Sequence, residues 1–274
     1  MVDPLLLTRS VAWKNGVPQE NDRYVPEETA IALTYGGSTQ AVMMGTPTDL
    51  EDFAVGFSVT ERLIDSRDEI ESLEVIEADD GIELRMWLVP ERASIYSRRR
   101  RLLAGPTGCG LCGVESLEEA VKPPTVVAQG RVFSPEQIVE AIESLYPAQV
   151  LNKKARAVHA AGFWSPERGL VAAREDVGRH NALDKLVGHL VSTGQTAADG
   201  VIVLTSRVSV EMVQKAAAIG APVIVAVSAP TALALRMADA AGITLAAIAR
   251  GDDFEVFTHH HRIARQEALS EAGA

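Results

Sequence analysis

The two cysteines of this chain, Cys109 and Cys112, lie in a glycine-rich segment shortly after the arginine run Arg98–Arg101. A Cys-x-x-Cys turn has three chemical uses. It supplies two thiolates, half of a tetrahedral zinc site. It can cycle between dithiol and disulfide, or one sulfur can act as a nucleophile whose pKa is lowered by nearby cations. The two residues alone do not decide between these uses. A fourth interpretation is a loop whose two thiols are incidental.

The flanking sequence bears on each of the three uses. A zinc site lacks further cysteines, and His259–His261 has an unusual ligand spacing, so we expect it to collect only adventitious metal. Guanidinium groups suit phosphate and carboxylate, so Arg98–Arg101 predicts an anion clamp beside the sulfur, with a solvated basic surface as the alternative. A redox turn would follow a strand directly, whereas this segment has the glycines of a swinging loop: Gly105, Gly108, Gly110 and Gly113.

A second concentration of polar residues is "REDVGRHNALDKLVG", residues 174–188. It surrounds a predicted helix start beside Gly178, and helix N-termini attract anions. We therefore predict that Arg179, His180 and Asn181 contribute to a ligand site. The alternative is helix capping by Asp176 together with ordinary surface charges.

Three further segments follow predicted buried strands: "TSRVSVEMVQK" (205–215), "VSAPTALAL" (227–235) and "AIARGDDFEVFT" (247–258). Strand ends that feed helix N-termini are where doubly covered sheets bind ligands. We predict pocket walls there, with capping as the alternative for the serines and a simple turn as the alternative for the third segment. The predicted residues are Ser206, Arg207, Ser209, Ser228, Arg250, Gly251, Asp252 and Asp253.

The first part of the chain indicates mixed α and β structure. Hairpins are predicted around Gly36-Gly37 and Asp80-Gly81, and a helix between them is predicted to start at a Thr48–Glu51 capping box. Residues 97–133 are predicted to form a long functional loop and a linker.

From residue 134 onward the sequence predicts alternating strands and helices. A helix starts with Ser134, Pro135 and Gln137, and continuous apolar strands such as "GVIVLTS" alternate with amphipathic helices further on. We predict an α/β fold with a mixed sheet covered by helices and right-handed crossovers. The smaller α+β domain would span residues 1–125 and end in the arginine-rich Cys-x-x-Cys loop. The α/β domain with the pocket would span residues 126–274.

The composition and the net charge of the chain argue against some classes of function. The chain has 274 residues, 47% hydrophobic and 23% charged, with a net charge of −11. This balance argues against nucleic acid as the main partner. The N-terminus lacks a signal-peptide pattern, and no apolar run reaches the ~18 residues of a membrane span. We expect a cytoplasmic protein without a membrane partner.

Taken together, these segments resemble the FdhD family, the formate dehydrogenase accessory sulfurtransferases. The resemblance covers roughly residues 25–265, and "DVGRHNALDKLVG" is a long and specific match, whereas a Cys-x-x-Cys alone is weak. The matching motifs occur in this order: "TPTDLEDFAVGFSVTERLI", "GCGLCG", "REDVGRHNALDKLVG", "TSRVSVEMVQK", "VSAPTALAL" and "ARGDDFEVFTHHHRI".

The resemblance implies a sulfur carrier. A cysteine desulfurase would load Cys109 as a persulfide, with Cys112 as its partner. The sulfur would pass to the molybdenum or tungsten of a bis(molybdopterin guanine dinucleotide) cofactor before its insertion into a formate dehydrogenase. The resemblance further implies a large domain with a cytidine-deaminase-like fold, a homodimer and no permanently bound metal. The family's cofactor-binding segment maps onto Ile248, Ala249, Arg250, Gly251, Asp252 and Asp253.

Two departures and two rival functions accompany the resemblance. "TSRVS" stands where the family often has a Gly-Arg-Ala type sequence, and Asp252-Asp253 puts negative charge near phosphates unless these carboxylates face a guanine. A zinc deaminase needs His-x-Glu and a downstream Pro-Cys-x-x-Cys, whereas His159 is followed by two alanines and the cysteines lie upstream. The other rival is a cofactor-binding chaperone in which the cysteines are incidental.

Overall fold

The computed structural model describes residues 2–102 and 124–264, with residues 98–102 described as backbone only. The described residues form seven α-helices: α1 (Leu50–Thr60), α2 (Pro90–Leu102), α3 (Pro135–Ala148), α4 (Val150–Ala155), α5 (Arg179–Ser192), α6 (Val210–Ala218) and α7 (Ala232–Ala241). They also form twelve strands: β1 (Leu5–Lys14), β2 (Val17–Pro26), β3 (Thr29–Tyr35), β4 (Ser38–Gly45), β5 (Ile70–Ala78), β6 (Gly81–Leu88), β7 (His159–Ser165), β8 (Gly169–Asp176), β9 (Val201–Leu204), β10 (Val223–Ala226), β11 (Thr244–Arg250) and β12 (Asp253–Val256).

The first structural unit is a four-stranded sheet in the order β4-β3-β6-β5. Both predicted hairpins are confirmed, because β3 pairs with β4 and β5 pairs with β6. Gly36 and Gly37 have positive φ angles of 55° and 76°, which suit a tight hairpin turn. One face of this sheet buries Ile31, Leu33 and Leu84 completely.

The predicted capping box of α1 is wrong. The helix begins at Leu50, and its N-cap is Asp49 in a left-handed conformation, without a side-chain cap hydrogen bond. Thr48 Oγ1 is buried and has no hydrogen-bond partner among the described residues. Two residues before Thr48, the backbone of Thr46 is bonded by the side chains of Asp176 and Lys185, which positions the chain ahead of the helix.

The prediction of a loop and linker over residues 97–133 is wrong at its start, whereas residues 124–132 belong to no helix or strand. The helix α2 continues to Leu102, so Arg98–Arg101 belong to its C-terminal end, where cations are favoured by the helix dipole. Arg92 anchors α2 through ion pairs with Asp65 and Glu69. Residues 124–133 run along the second unit, where the Val127 amide donates to the Ala241 carbonyl.

The second unit contains the predicted mixed sheet, which has six strands in the order β12-β11-β10-β9-β7-β8. The central strands β9, β10 and β11 are parallel, and α6 and α7 form the crossovers between them. The predicted start of α3 is confirmed, because Ser134 and Gln137 bond each other's backbone. A core with Phe133, Ile138 and Trp164 lies on one side of the sheet, while the other core is shared with the first unit.

The two units meet where α1 crosses α5 at Gly56 and Gly188. A Cβ atom on Gly56 would lie 1.7 Å from the carbonyl oxygen of Asp184, and one on Gly188 would lie 1.8 Å from that of Asp52. The two backbones are therefore in direct contact, and no side chain fits at either position.

Two buried ion pairs flank this crossing. Lys185 Nζ lies 2.7 Å from Asp176 Oδ2, and both side chains are fully buried. Lys185 also donates to the Thr46 carbonyl at 2.8 Å. On the other side, Lys215 Nζ lies 2.8 Å from Asp184 Oδ1. Burial acts to lower the pKa of Lys215, but the charges of Asp184 and Glu61 raise it above its ordinary value.

A separate two-stranded sheet, β1–β2, precedes these units and was not predicted. Its turn is Asn15-Gly16, with φ angles of 52° and 79°. Asn-Gly between two strands is a strong hairpin signal, which the sequence analysis left unused. Across residues 2–102 and 124–264, no helix combines the length and apolarity of a membrane span.

We expect Gly56→Ala to destabilise the fold by about 3 kcal/mol, the upper end for overpacking, because the added methyl group meets backbone atoms. Chemical denaturation measures this free energy of unfolding. Glu51→Ala on the exposed side of the same helix is the control, with an expected change within about 0.5 kcal/mol. A Gly56→Ala protein as stable as the control would contradict the close crossing.

Candidate functional site

The predicted ligand residues share one edge of the six-stranded sheet, which we name the sheet edge. The strands β9, β10 and β11 are parallel, so their carboxyl ends meet there. The strand β8 also ends there, because Asp176 pairs with His159 and Ala161 pairs with Leu204. The predicted site residues at or just after these strand ends are Arg179, His180, Ser206, Arg207, Ser228 and 248–253.

Hydrogen bonds between the loops fix this arrangement. The loop after β9 bonds the loop after β10, since the Val208 amide donates to Ala229 and the Thr231 amide donates to Val208. The Ile248 amide donates to the Ser228 carbonyl at 3.4 Å, and this bond connects the end of β11 to the loop after β10. These three segments therefore lie together at the sheet edge, and the predicted pocket and the ligand role of each residue stay predictions.

His180 and Glu211 join the N-termini of α5 and α6 across the sheet edge. His180 Nε2 lies 3.2 Å from Glu211 Oε2 and 3.5 Å from Ser209 Oγ. The Ser209 hydroxyl donates to the same carboxylate at 2.7 Å rather than capping α6. The hydrogen bond from His180 is the main cause that lowers the pKa of Glu211 to about 2.

Glu211 is a residue that the sequence analysis missed. It lies within the quoted segment 205–215, but an acidic residue in the first turn of a helix has an ordinary structural explanation. Only the fold brings it to His180. The carboxylate holds the imidazole Nε2 and leaves Nδ1 without a protein partner among the described residues.

The N-terminus of α5 is suited to an anion. Its N-cap, Gly178, has no side chain, and its first turn carries no acidic residue. The Nε atom of Arg179 is buried and has no hydrogen-bond partner in the described part of the chain. The backbone amides of a helix N-terminus and a guanidinium group together favour phosphate or carboxylate.

No ligand role was predicted for His159, which entered only in the comparison with a deaminase motif. The residue lies beside the N-terminus of α5. Burial lowers its pKa, and the charge of Arg179 lowers it further, while Asp176 opposes the shift. A lowered pKa favours the neutral imidazole, which can donate one hydrogen bond and accept another.

The side chain of Asn181, a predicted ligand residue, makes its hydrogen bonds inside the protein. Its side chain is buried, and Nδ2 donates to the Met44 carbonyl at 2.8 Å and to Asp176 Oδ1 at 3.1 Å. Asp176 Oδ1 also accepts from the Gly178 amide, just before the first turn of α5. We assign Asn181 to the packing of α5 against β4. The motif 174–188 thus divides into a buried framework and the pair that faces the sheet edge, Arg179 and His180.

The segment from Ile248 to Asp253 comprises the end of β11, the turn Gly251-Asp252 and the first residue of β12, with a register shift before Arg250. Ile248 has a φ of 55° and is 38% exposed. A left-handed conformation costs a β-branched residue about 1–2 kcal/mol, and such strain concentrates at ligand sites. Ala249 is buried in the core, whereas Arg250 and Asp252 are exposed. The segment therefore offers an apolar side chain, a cation and carboxylates at one turn.

Cys109 and Cys112 lie outside the described residues, so their predicted roles stay predictions. The backbone of Arg98–Arg101 is helical and belongs to the end of α2, which is where the anion clamp was predicted. The side chains of these four arginines lie outside what the structure describes, so the predicted anion clamp stays a prediction. Within the described part of the chain, no group of at least three His, Cys, Asp or Glu residues could hold a metal ion.

Comparisons with known proteins agree on one family. A sequence model of the FdhD/NarQ family matches residues 26–264. The sulfur carrier protein FdhD of Agrobacterium fabrum is 53% identical over 253 residues, which cover 92% of this chain and 93% of that protein. The sulfur carrier protein FdhD of Cupriavidus necator is 43% identical over 258 residues, or 94% and 90% of the two chains.

A solved structure shares the fold. The crystal structure of a candidate formate dehydrogenase accessory protein from Desulfotalea psychrophila superposes with a TM-score of 0.76 at 26% sequence identity. The match covers 96% of this chain and 100% of that one. The mixed α/β architecture described above is therefore that of a known protein, while the predicted cytidine-deaminase likeness stays a prediction.

We expect Glu211→Gln to reduce stability in a pH-dependent way. The folded pKa of Glu211 is about 2, below the ordinary 4.5, so its stabilisation is present above pH 4.5 and is lost as the pH falls towards 2. At pH 6 the variant should be less stable by about 1–2 kcal/mol, and this gap should shrink at lower pH. Urea denaturation at each pH measures the gap, and Glu255→Gln on exposed β12 is the control. A gap that does not change with pH would contradict the His180–Glu211 contact.

Proposed function

Since this chain belongs to the FdhD/NarQ family, we propose that it is a sulfur carrier in the maturation of a formate dehydrogenase. Two kinds of relative support this proposal. The similar proteins from Agrobacterium fabrum and Cupriavidus necator are named sulfur carrier proteins, and the similar solved structure is described as a candidate formate dehydrogenase accessory protein.

The sheet edge carries the proposal, because it offers separate places for the parts of a guanine dinucleotide cofactor. The substrate would be a molybdenum or tungsten bis(molybdopterin guanine dinucleotide). Its phosphates suit the N-terminus of α5, where Arg179 Nε is buried without a partner among the described residues. Its guanine suits the turn after β11, where exposed Ile248 supplies an apolar surface and Asp252 can accept from guanine N–H groups.

The remaining edge residues would hold the phosphates and exclude other ligands. Arg207 is exposed beside the buried Ser206, and its guanidinium group can bind phosphate oxygens in a bidentate manner. His180 is held at Nε2 by Glu211 and Ser209, and its Nδ1 would be the hydrogen-bonding group left for a ligand. Ser228 lies between these groups and Ile248 and would contribute its hydroxyl group.

Sulfur loading is proposed at Cys109. Its thiolate would attack the outer sulfur of a persulfide on a cysteine desulfurase, forming a new S–S bond as the donor's S–S bond breaks. The donor cysteine leaves as a thiolate, so the step is redox-neutral. The glycines around Cys109 suit a segment that must meet both a protein donor and a cofactor.

Sulfur release requires two electrons, because the outer sulfur of a persulfide becomes sulfide only on reduction. Cys112 can supply them, since attack of its thiolate on Cys109 Sγ forms a disulfide and releases hydrosulfide. A Cys-x-x-Cys spacing allows such a disulfide to close. We therefore propose loading at Cys109 and release through Cys112, followed by reduction of the disulfide by a cellular dithiol.

The rival function is a chaperone that binds the cofactor without carrying sulfur. One observation favours it: the described sheet edge could bind a nucleotide cofactor without either cysteine. The cytoplasmic location and the homodimer stay predictions, as do the partnerships with a desulfurase and a formate dehydrogenase.

We expect Cys109→Ala to abolish maturation of formate dehydrogenase in cells that lack their own carrier. The target should still contain its metal but be inactive, because only the sulfur is missing. Cys112→Ala is the matched variant: it should still be loaded with sulfur by a desulfurase and cysteine, but release it poorly. Intact-protein mass spectrometry detects the loaded form as the gain of one sulfur atom.

The same experiment separates the two functions. A chaperone predicts full maturation by both alanine variants and no sulfur on either cysteine. Loading confined to Cys112 would overturn the assignment of Cys109 and keep the sulfur-carrier proposal.

A further inference from the structure

His180 is a titratable side chain at the sheet edge whose two ring nitrogens have different surroundings. Its Nε2 atom lies 3.2 Å from Glu211 Oε2, in the first turn of α6. Its Nδ1 atom has no partner in the described part of the chain, and 27% of the side chain is exposed. Nδ1 is therefore the nitrogen that remains for a ligand.

Glu211 decides which nitrogen of His180 carries the proton of the neutral ring. A carboxylate only accepts hydrogen bonds, and the Ser209 hydroxyl already donates its own proton to Glu211 at 2.7 Å. The hydrogen bond from His180 lowers the pKa of Glu211 to about 2, so the carboxylate is ionised throughout the neutral range. The proton between Nε2 and Glu211 therefore belongs to the imidazole. The neutral form of His180 then has its lone pair at Nδ1.

Basic groups surround His180 at the start of α5. The neighbouring Arg179 has its Nε atom buried without a partner among the described residues, and the first turn of the helix has no acidic side chain. His159 on β7 belongs to the same cluster. Burial is the main cause that lowers the pKa of His159, and the charges of Arg179 and His180 lower it as well. Three basic side chains thus meet at one helix N-terminus.

The acidic groups near this cluster are bonded within the protein. Asp176, at the end of β8, lies 2.7 Å from Lys185 Nζ, and both side chains are fully buried. Glu211 accepts from Ser209 and His180, as described above. Around the start of α5, the described residues therefore leave positive charge for a ligand, which favours an anion.

An anion cannot bind His180 in its neutral form. A phosphate oxygen and an unprotonated Nδ1 both present lone pairs, so they repel each other. Protonation makes Nδ1 a donor and gives the ring a positive charge, and a charge-assisted hydrogen bond to phosphate then forms. The contact between His180 and a phosphate thus requires a second proton on the ring.

We propose, on the premise of the function proposed above, that the sheet edge binds the pyrophosphate of its ligand together with one proton, which His180 takes up from solvent at Nδ1. Glu211 is the positioning residue that imposes this requirement, because it occupies Nε2. Loss of the proton turns an attractive contact into a repulsive one. A carrier that must release its cofactor thereby has a means to do so.

Binding should weaken as the pH rises. A bound anion stabilises the imidazolium form, so affinity is highest where His180 is already protonated and falls as the pH rises towards the pKa of the ligand-bound ring. Histidine side chains titrate around pH 6.5, so the change is measured between about pH 6 and about pH 8. The rival arrangement, in which Nδ1 accepts from an N–H or hydroxyl group of the ligand, predicts no proton uptake.

Isothermal titration calorimetry of the full chain with GDP-mannose tests the proposal. This guanosine diphosphate sugar contains a pyrophosphate diester, as a dinucleotide does, and lacks the phosphate ionisation near pH 6 that would obscure a proton on the protein. We expect the Kd to rise by up to about tenfold per pH unit above about pH 6.5. At constant pH, the measured heat should vary with the ionisation enthalpy of the buffer in proportion to the protons taken up.

Two variants locate the proton. The amide of His180→Asn keeps a hydrogen-bonding group near the position of Nδ1 but cannot titrate, so we expect binding without proton uptake and a Kd that is independent of pH. Glu211→Gln should also reduce the uptake, because an amide can donate to Nε2 and leave the proton of the neutral ring at Nδ1. Equal proton uptake by Glu211→Gln and the wild type would overturn the positioning role of Glu211.

His260→Asn is the matched control. His260 is exposed, and the carbonyl of the preceding His259 accepts from Thr244 Oγ1 at the start of β11, so this residue lies at the opposite edge of the sheet. We expect its proton uptake and affinity to equal those of the wild type.

The remaining outcomes separate this proposal from the proposed function. Binding of GDP-mannose by the wild type without proton uptake would overturn the proposal and leave the cofactor site in place. Uptake that persists in His180→Asn but disappears in His159→Asn would assign the proton to His159 and also overturn the proposal. No binding of GDP-mannose at any pH would overturn the cofactor site and the proposal together.

Discussion

The contact between the backbones of α1 and α5 is the constraint on which the two-unit structure depends. Gly56 and Gly188 let the helices approach until a Cβ atom at either position would overlap a carbonyl group. This approach brings Lys185 within reach of the Thr46 carbonyl and Asp184 within reach of Thr60. Because α5 starts at the sheet edge, the position of its N-terminus is fixed by the same contact.

The motif of residues 174–188 therefore has two functions in one helix. Asp176, Asn181 and Lys185 are buried against the first unit, and their polar groups are satisfied there. Buried charges are tolerated when they are paired and hydrogen-bonded, and the removal of one partner is strongly destabilising. Arg179 and His180, in the first turn of the same helix, remain available for a ligand. A rigid framework that holds a few exposed polar groups is what a binding site requires.

Much of the fold could be predicted from the sequence, because its strands are apolar and its turns are marked by glycine. The parallel strands from Val201 to Arg250 and their convergence at one edge follow from the alternation of apolar strands and helices. The burial of Asn181 and the contact between His180 and Glu211 could not be predicted, since they depend on which side of a helix meets a distant element. The length of α2 was missed because a run of arginines suggested a loop, although cations suit a helix C-terminus. The β1–β2 sheet was missed although its Asn15-Gly16 turn was present in the sequence.

The central claim is that a guanine nucleotide cofactor binds at the sheet edge, in reach of groups positioned by α5. Amide hydrogen exchange of the full chain with and without guanosine diphosphate tests it most directly, because this probe carries the guanine and pyrophosphate of the proposed cofactor. We expect slower exchange in residues 178–182, 205–211 and 247–253, and no change in β5, β6 or the β1–β2 sheet. Unchanged exchange at the sheet edge under saturating nucleotide, or protection confined to other elements, would contradict the account.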